Sequence, residues 1–179
     1  DEVEWAGGAA RHEAGSPNVL GAVALAAACA TIARHREAVE AHEQSLAERL
    51  SSGLRRIPGV RTYSLFGAGS ERAAVACLTV DGLDSALVSA ALSAEYGIGV
   101  RDGKFCAHLL VDDLLASDPE HHATAVRISL GLGSTLEHVD CLLAALAHLA
   151  AYGPNLPWVR TDSGWRAEGA PLAEVPALW

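Results

Sequence analysis

At 179 residues, half of them hydrophobic and a fifth charged, the chain is long enough for one packed domain with appendages and too apolar for a disordered segment. A formal charge of −9, with a single lysine and scattered arginines, excludes a nonspecific nucleic-acid binder, which needs clustered cations to neutralise phosphates. The longest apolar run, VLGAVALAAACATIA at 19–33, falls short of the roughly 20 residues that span a bilayer, and no signal-peptide pattern is present, so no membrane segment is expected.

In chain order, RHEAGSPN ends in a helix-start signal, with Ser16 as cap and Pro17 at the first helical position. One long helix is then predicted from Val19 to about Ser51. Its first half is apolar all round (Val19, Leu20, Val23, Leu25, Ile32), which predicts burial on several sides; its second half is amphipathic, with Val39, Leu46 and Leu50 on one stripe. IPGV at 57–60 breaks the pattern. RTYSLFG reads as a short strand, a Gly-containing turn follows at 67–72, and AAVACLTVDG reads as a buried strand. DSALVSAALSAEYG is a helix capped by Asp84 and closed by Gly97. IGVRDG is a brief strand, CAHLLVDDLLA a helix, AVRISLGLG a strand, and TLEHVDCLLAALAHLAAYG a helix from a Thr135 cap to Gly153. The alternation over 61–153 predicts a small α/β or α+β layer. In the Pro- and Trp-rich tail from 154, PWVRTDSGWRAEG reads as a hairpin around Asp162, Ser163 and Gly164.

Four cysteines at 29, 77, 106 and 141 form no CxxC pair, which fits a reducing compartment. Cys29, Cys77 and Cys141 read as small buried residues. Cys106 sits where a strand gives way to a helix, a position that exposes a side chain, with Arg101 and Lys104 nearby to favour a thiolate. From the residues alone it is either a reactive thiol or another buried one, and residue type favours burial. Arg127 interrupts an apolar strand and is either half of a structural salt bridge or a grip for a carboxylate ligand. GLGST at 131–135 and GAGSE at 67–71 complete no phosphate-loop motif and read as turns. Cys106, His108, His121 and His122 can be grouped as zinc ligands on paper, but the tight paired spacings are absent and no metal is expected.

Three segments in register, RHEAGSPNVLGAVALAAA, GIGVRDGKFCAHLL and VRISLGLGSTLEHVDCLLAAL, resemble the class V aminotransferases, pyridoxal-phosphate enzymes of fold type I that include the cysteine desulfurases and selenocysteine lyases. The resemblance covers about residues 3–150 and is to the C-terminal part of such an enzyme. It implies 1–18 as the end of a large cofactor domain, 19–53 as a long interdomain helix near a dimer interface, 54–153 as the C-terminal small domain, and 154–179 as an unmatched tail. The family's Gly-Thr-Pro-Asn turn matches Gly15, Ser16, Pro17 and Asn18, which implies that Gly15 and Ser16 meet the cofactor phosphate of the neighbouring subunit. Its carboxylate-binding arginine matches Arg127, and its arginine–glycine–cysteine segment matches Arg101, Gly103 and Cys106. In the desulfurases that cysteine takes sulfur from L-cysteine as a persulfide, and alanine leaves.

The resemblance therefore implies an amino-acid substrate, a cytoplasmic homodimer and, for the desulfurase version, a sulfur acceptor protein. Two departures stand beside it. The family's histidines before the cysteine are Lys104 and Phe105 here, and the lysine that holds the cofactor lies upstream of the Arg-His-Glu segment, where this chain has no match. The chain alone is expected to be inactive and to aggregate or dimerise. An aminotransferase, lyase or epimerase of other substrate, and a non-catalytic interaction module, are the alternatives.

Overall fold

The structure is a computed structural model that describes residues 4–13, 15–66, 70 and 73–168. Most of the turn expected at 67–72 and the tail beyond 168 lie outside the described residues. The chain divides into two compact units, Asp1–Glu40 and Ala41–Trp179.

In the first unit a 3-10 turn at Gly8–His12 precedes helix α1, Val19–Arg34. The cap is Asn18, whose Oδ1 accepts the Gly21 N–H at 2.8 Å, rather than the expected Ser16. The reason is local: the Val19 N–H turns back to the Pro17 carbonyl at 2.9 Å around Asn18 (φ −76°, ψ 75°), which keeps Pro17 outside the helix. The single long helix expected over 19–51 is two helices. The Thr31 hydroxyl donates to the Ala27 carbonyl and Arg34 Nε to the Ala30 carbonyl, drawing the last turn's acceptors onto side chains. The His35 N–H is shared between the Thr31 and Ile32 carbonyls, and a new helix, α2 (Arg36–Leu54), starts from the His35 carbonyl. Burial on several sides of α1 is not found either: none of its residues is buried, and Leu20 is 84% exposed.

The second unit holds the sheet. Its strands are β1 (Val60–Tyr63), β2 (Val75–Val80), β3 (Arg101–Gly103) and β4 (Ala125–Ser129), in the order β1-β2-β4-β3 with every neighbouring pair antiparallel. Because β4 lies between β2 and β3 and opposes both, those two strands run the same way, and helix α3 (Ser85–Tyr96) is the crossover of a split βαβ unit. Helix α4 (His108–Leu115) joins β3 to β4, and α5 (Leu136–Tyr152) closes the layer. The arrangement is thus α+β. The capping signals hold at α3, where Asp84 accepts from the Ala86 N–H at 2.8 Å and Gly97 takes φ 66°. They hold again at α5, where Thr135 and His138 form a reciprocal capping box.

Strand residues alternate between two environments. Leu78 and Val80 of β2 and Val126 and Ile128 of β4 face the main core, where they meet Leu46, Leu50 and Leu54 of α2, Leu92 of α3 and Leu146 and Leu149 of α5. On the opposite face the short α4 packs through Val111 and Leu115 against Ala125, Tyr63, Cys77 and Phe105. After α5, the strands β5 (Trp158–Thr161) and β6 (Gly164–Ala167) form the expected hairpin. It is fastened to α3 by Glu95, whose carboxylate accepts from the Asn155 and Leu156 backbone N–H groups, Asn155 Nδ2 and Trp158 Nε1 at 2.9–3.2 Å. Burial pushes the Glu95 carboxyl up, but these donors hold it below its ordinary range.

Candidate active site

The face under α4 carries the polar residues. The register places Tyr63, Cys77, Arg127 and Arg101 side by side across the four strands, one residue per strand. Two arginines directly opposite each other repel, an arrangement that a bound anion relieves. Among the described residues neither makes an ion pair or a side-chain hydrogen bond. Arg127 Nε is buried with no hydrogen-bond partner among the described residues, which costs about 1–3 kcal/mol. The structural salt bridge weighed for Arg127 is therefore not formed.

β3 ends at Gly103, whose φ of +97° is closed to most side chains. The next turn is tight: the Ala107 N–H donates to the Lys104 carbonyl at 2.8 Å, and Lys104 Nζ reaches Asp112 Oδ1 at 2.6 Å. Within it Phe105 and Cys106 both take left-handed backbone angles, φ 54° and 59°. Their side chains part. Phe105 turns inward, its ring 5.4 Å from Arg127 Cζ, and Cys106 stays exposed just ahead of α4. Burial of Cys106 as a small core residue is thus excluded. The same expectation fails for Cys29 and Cys141, which are exposed. Cys77 is the half-buried cysteine, and burial pushes its thiol up, toward the unreactive protonated form.

A second polar set on this face escaped the sequence. Asp118, 2% exposed, accepts from the Tyr63 hydroxyl at 2.7 Å, the His122 N–H at 2.8 Å and His122 Nδ1 at 2.7 Å. Burial alone pushes the Asp118 carboxyl up, but these donors outweigh it and hold it at about 2. Tyr63, half-buried and donating to that carboxylate, is pushed up to about 12. Its proton is committed to Asp118, so Thr79 donates to the Tyr63 oxygen at 3.0 Å. The set pins the loop after α4 to β1 and β2. No local pattern signals it, since Tyr63 and Asp118 are 55 positions apart.

Gly15 and Ser16 lie in the first unit. Gly15 holds φ +100° with no atom within 4 Å of where a Cβ would stand, and neither residue has a hydrogen-bond partner among the described residues. GLGST is a turn, the Ser134 N–H donating to the Gly131 carbonyl and the Gly131 N–H to the Ser134 hydroxyl.

The class-V aminotransferase family model matches residues 1–142. A probable cysteine desulfurase of Vibrio cholerae is 33% identical over 147 residues, covering 82% of this chain and 34% of that protein. One from Pseudomonas putida is 35% identical over 75% of this chain and 31% of its own length. Among solved structures, an apo cysteine desulfurase from Thermococcus onnurineus NA1 superposes with a TM-score of 0.67 at 32% identity, over 79% of this chain and 34% of that one. The chain spans about a third of the length of these relatives.

Proposed function

The chain belongs to the class-V aminotransferase family, and from that premise we propose that it serves a pyridoxal-phosphate enzyme acting on an amino acid, with sulfur transfer from L-cysteine as the reaction. The observation that carries this reading is Arg127, a half-buried arginine whose buried Nε has no hydrogen-bond partner among the described residues, beside a second unpaired arginine. Such a pair suits an amino-acid carboxylate, which can satisfy two N–H donors at once.

The family depends on pyridoxal phosphate, and the donors of Gly15 and Ser16 would hold its phosphate in a homodimer. When bound, the cofactor supplies an electron sink for charge developing at the amino acid's Cα. Arg127, with Arg101 beside it, orients the substrate through its carboxylate. The exposed Cys106 is the nucleophile: its thiolate forms a bond to the substrate sulfur as the Cβ–S bond breaks, and the carbon skeleton takes up a proton and leaves as alanine. The sulfur then passes to an acceptor. Lys104 is committed to Asp112, so the lysine that holds the cofactor is assigned outside these residues. The uncovered apolar surface of α1 suits an interdomain or subunit contact in that larger assembly.

A second reading is favoured by one observation: Phe105 and the paired Lys104 stand where the desulfurases carry histidines. In that reading the enzyme works on another amino acid and Cys106 is a bystander. The test is the Arg127→Ala variant of the cofactor-loaded protein. Its apparent affinity for amino acids should fall at least tenfold, the order expected for losing a charged hydrogen-bond partner. An unchanged affinity would reject the carboxylate assignment.

A further inference from the structure

We propose that Phe105 is the positioning residue for Arg127: its ring fixes the guanidinium in place for the substrate carboxylate. The proposal rests on the carboxylate reading above and adds what holds that group before substrate arrives.

Three observations converge. First, no acceptor orients Arg127, since its Nε is buried without a hydrogen bond and no carboxylate among the described residues pairs with it. A long side chain with no partner has several rotamers open to it, and ordering it on binding would weaken affinity. Second, the contact that does meet the guanidinium is an aromatic face, with Cζ 5.4 Å from the Phe105 centroid. A π-face attracts a cation without using any of its N–H donors, so all of them stay available to a ligand. Third, Phe105 occupies left-handed backbone at φ 54°, where a bulky residue is strained. The ring is held there by packing against Val111, Leu115 and Ala125.

The same turn places Cys106 on the outside. One strained dipeptide therefore sets both groups, the guanidinium through the Phe105 ring and the thiol through the Cys106 backbone. A histidine at 105 would bring a titrating group against the arginine; phenylalanine keeps the contact independent of pH.

The test uses the protein that carries this chain, with arginines labelled by nitrogen-15, and propionate as the carboxylate probe. The Arg127 Hε resonance, assigned by its loss in Arg127→Lys, should be displaced upfield by the ring current. Phe105→Tyr, which keeps the ring, should retain that displacement and bind propionate as the parent does. Phe105→Leu keeps apolar bulk without a π-face; it should lose the displacement and bind propionate about threefold more weakly. Phe105→Met serves the same purpose if leucine disturbs the Val111 and Leu115 methyl signals. An undisplaced parent resonance, or a leucine variant that binds like the parent, would overturn the proposal. Propionate binding that ignores Arg127→Lys, with the ring-current displacement intact, would instead overturn the carboxylate reading.

Discussion

Cys77 and Leu78 are neighbours in β2, yet they belong to different parts of the protein's business. Leu78 is fully buried against three helices, whereas Cys77 stands in a row with Tyr63, Arg127 and Arg101 under one short helix. The apolar face has its packing needs met from within the chain. The α4 face keeps an unsatisfied guanidinium, two strained residues and a buried carboxylate. Alternation along a strand is what lets one sheet do both, since a residue can be given to chemistry without opening the core on the other side.

The contrast can be broken at several points. The largest effect is expected from Leu146→Ala in the main core, which should cost about 2–5 kcal/mol in denaturant unfolding while leaving Cys106 as exposed to alkylation as before. Next comes Asp118. Its folded pKa of about 2 lies below the ordinary value of 3.8, so its contribution is present above pH 4 and is lost as pH falls through 2. The shift corresponds to stability on the order of 2 kcal/mol. Asp118→Asn should remove that much at pH 7 and flatten the acid limb of a Tm-against-pH curve. Tyr63 adds an alkaline counterpart with the opposite sign: its pKa of about 12 against an ordinary 10 means stability that fades as pH rises through that interval, and Tyr63→Phe should abolish it.

A smaller, local effect is expected at Glu95. Glu95→Ala should release the β5–β6 hairpin, read as lost hydrogen-exchange protection at Trp158–Thr161, at a cost of about 1–3 kcal/mol confined to that element. The smallest change in stability should come from Arg127→Met. It removes a buried polar atom that the fold does not satisfy together with the favourable contact to Phe105, two effects of opposite sign, so the unfolding free energy should change by no more than about 1 kcal/mol. A loss as large as that from Leu146→Ala would make Arg127 a structural residue and erase the distinction between the two faces.

The sequence made the α3 and α5 boundaries legible, because Asp84, Gly97, Thr135 and Gly153 act within a turn of their own positions. It also gave Arg127 and Cys106 as the residues to examine, the first by interrupting an apolar strand and the second by its place between strand and helix. What it concealed depends on distant partners or on weak local competition. The break at His35 comes from the Thr31 and Arg34 side chains turning back on the helix, which leaves the apolar pattern unchanged. The helix start at Val19 was legible, but its cap was assigned to Ser16 instead of Asn18, because both are good caps and the turn around Pro17 chooses between them. The Tyr63–Asp118–His122 set and the stacking of Phe105 on Arg127 are tertiary contacts, invisible until β1, β4 and α4 are brought together.

The most direct measurement of sulfur transfer uses the protein that carries this chain, loaded with pyridoxal phosphate and given L-cysteine, beside its Cys106→Ser variant. Alanine should be released, and the intact mass should rise by one sulfur in the parent alone. Turnover of amino acids with no sulfur gain, equal in parent and variant, would contradict the role of Cys106 and leave Arg127 serving a different amino-acid chemistry.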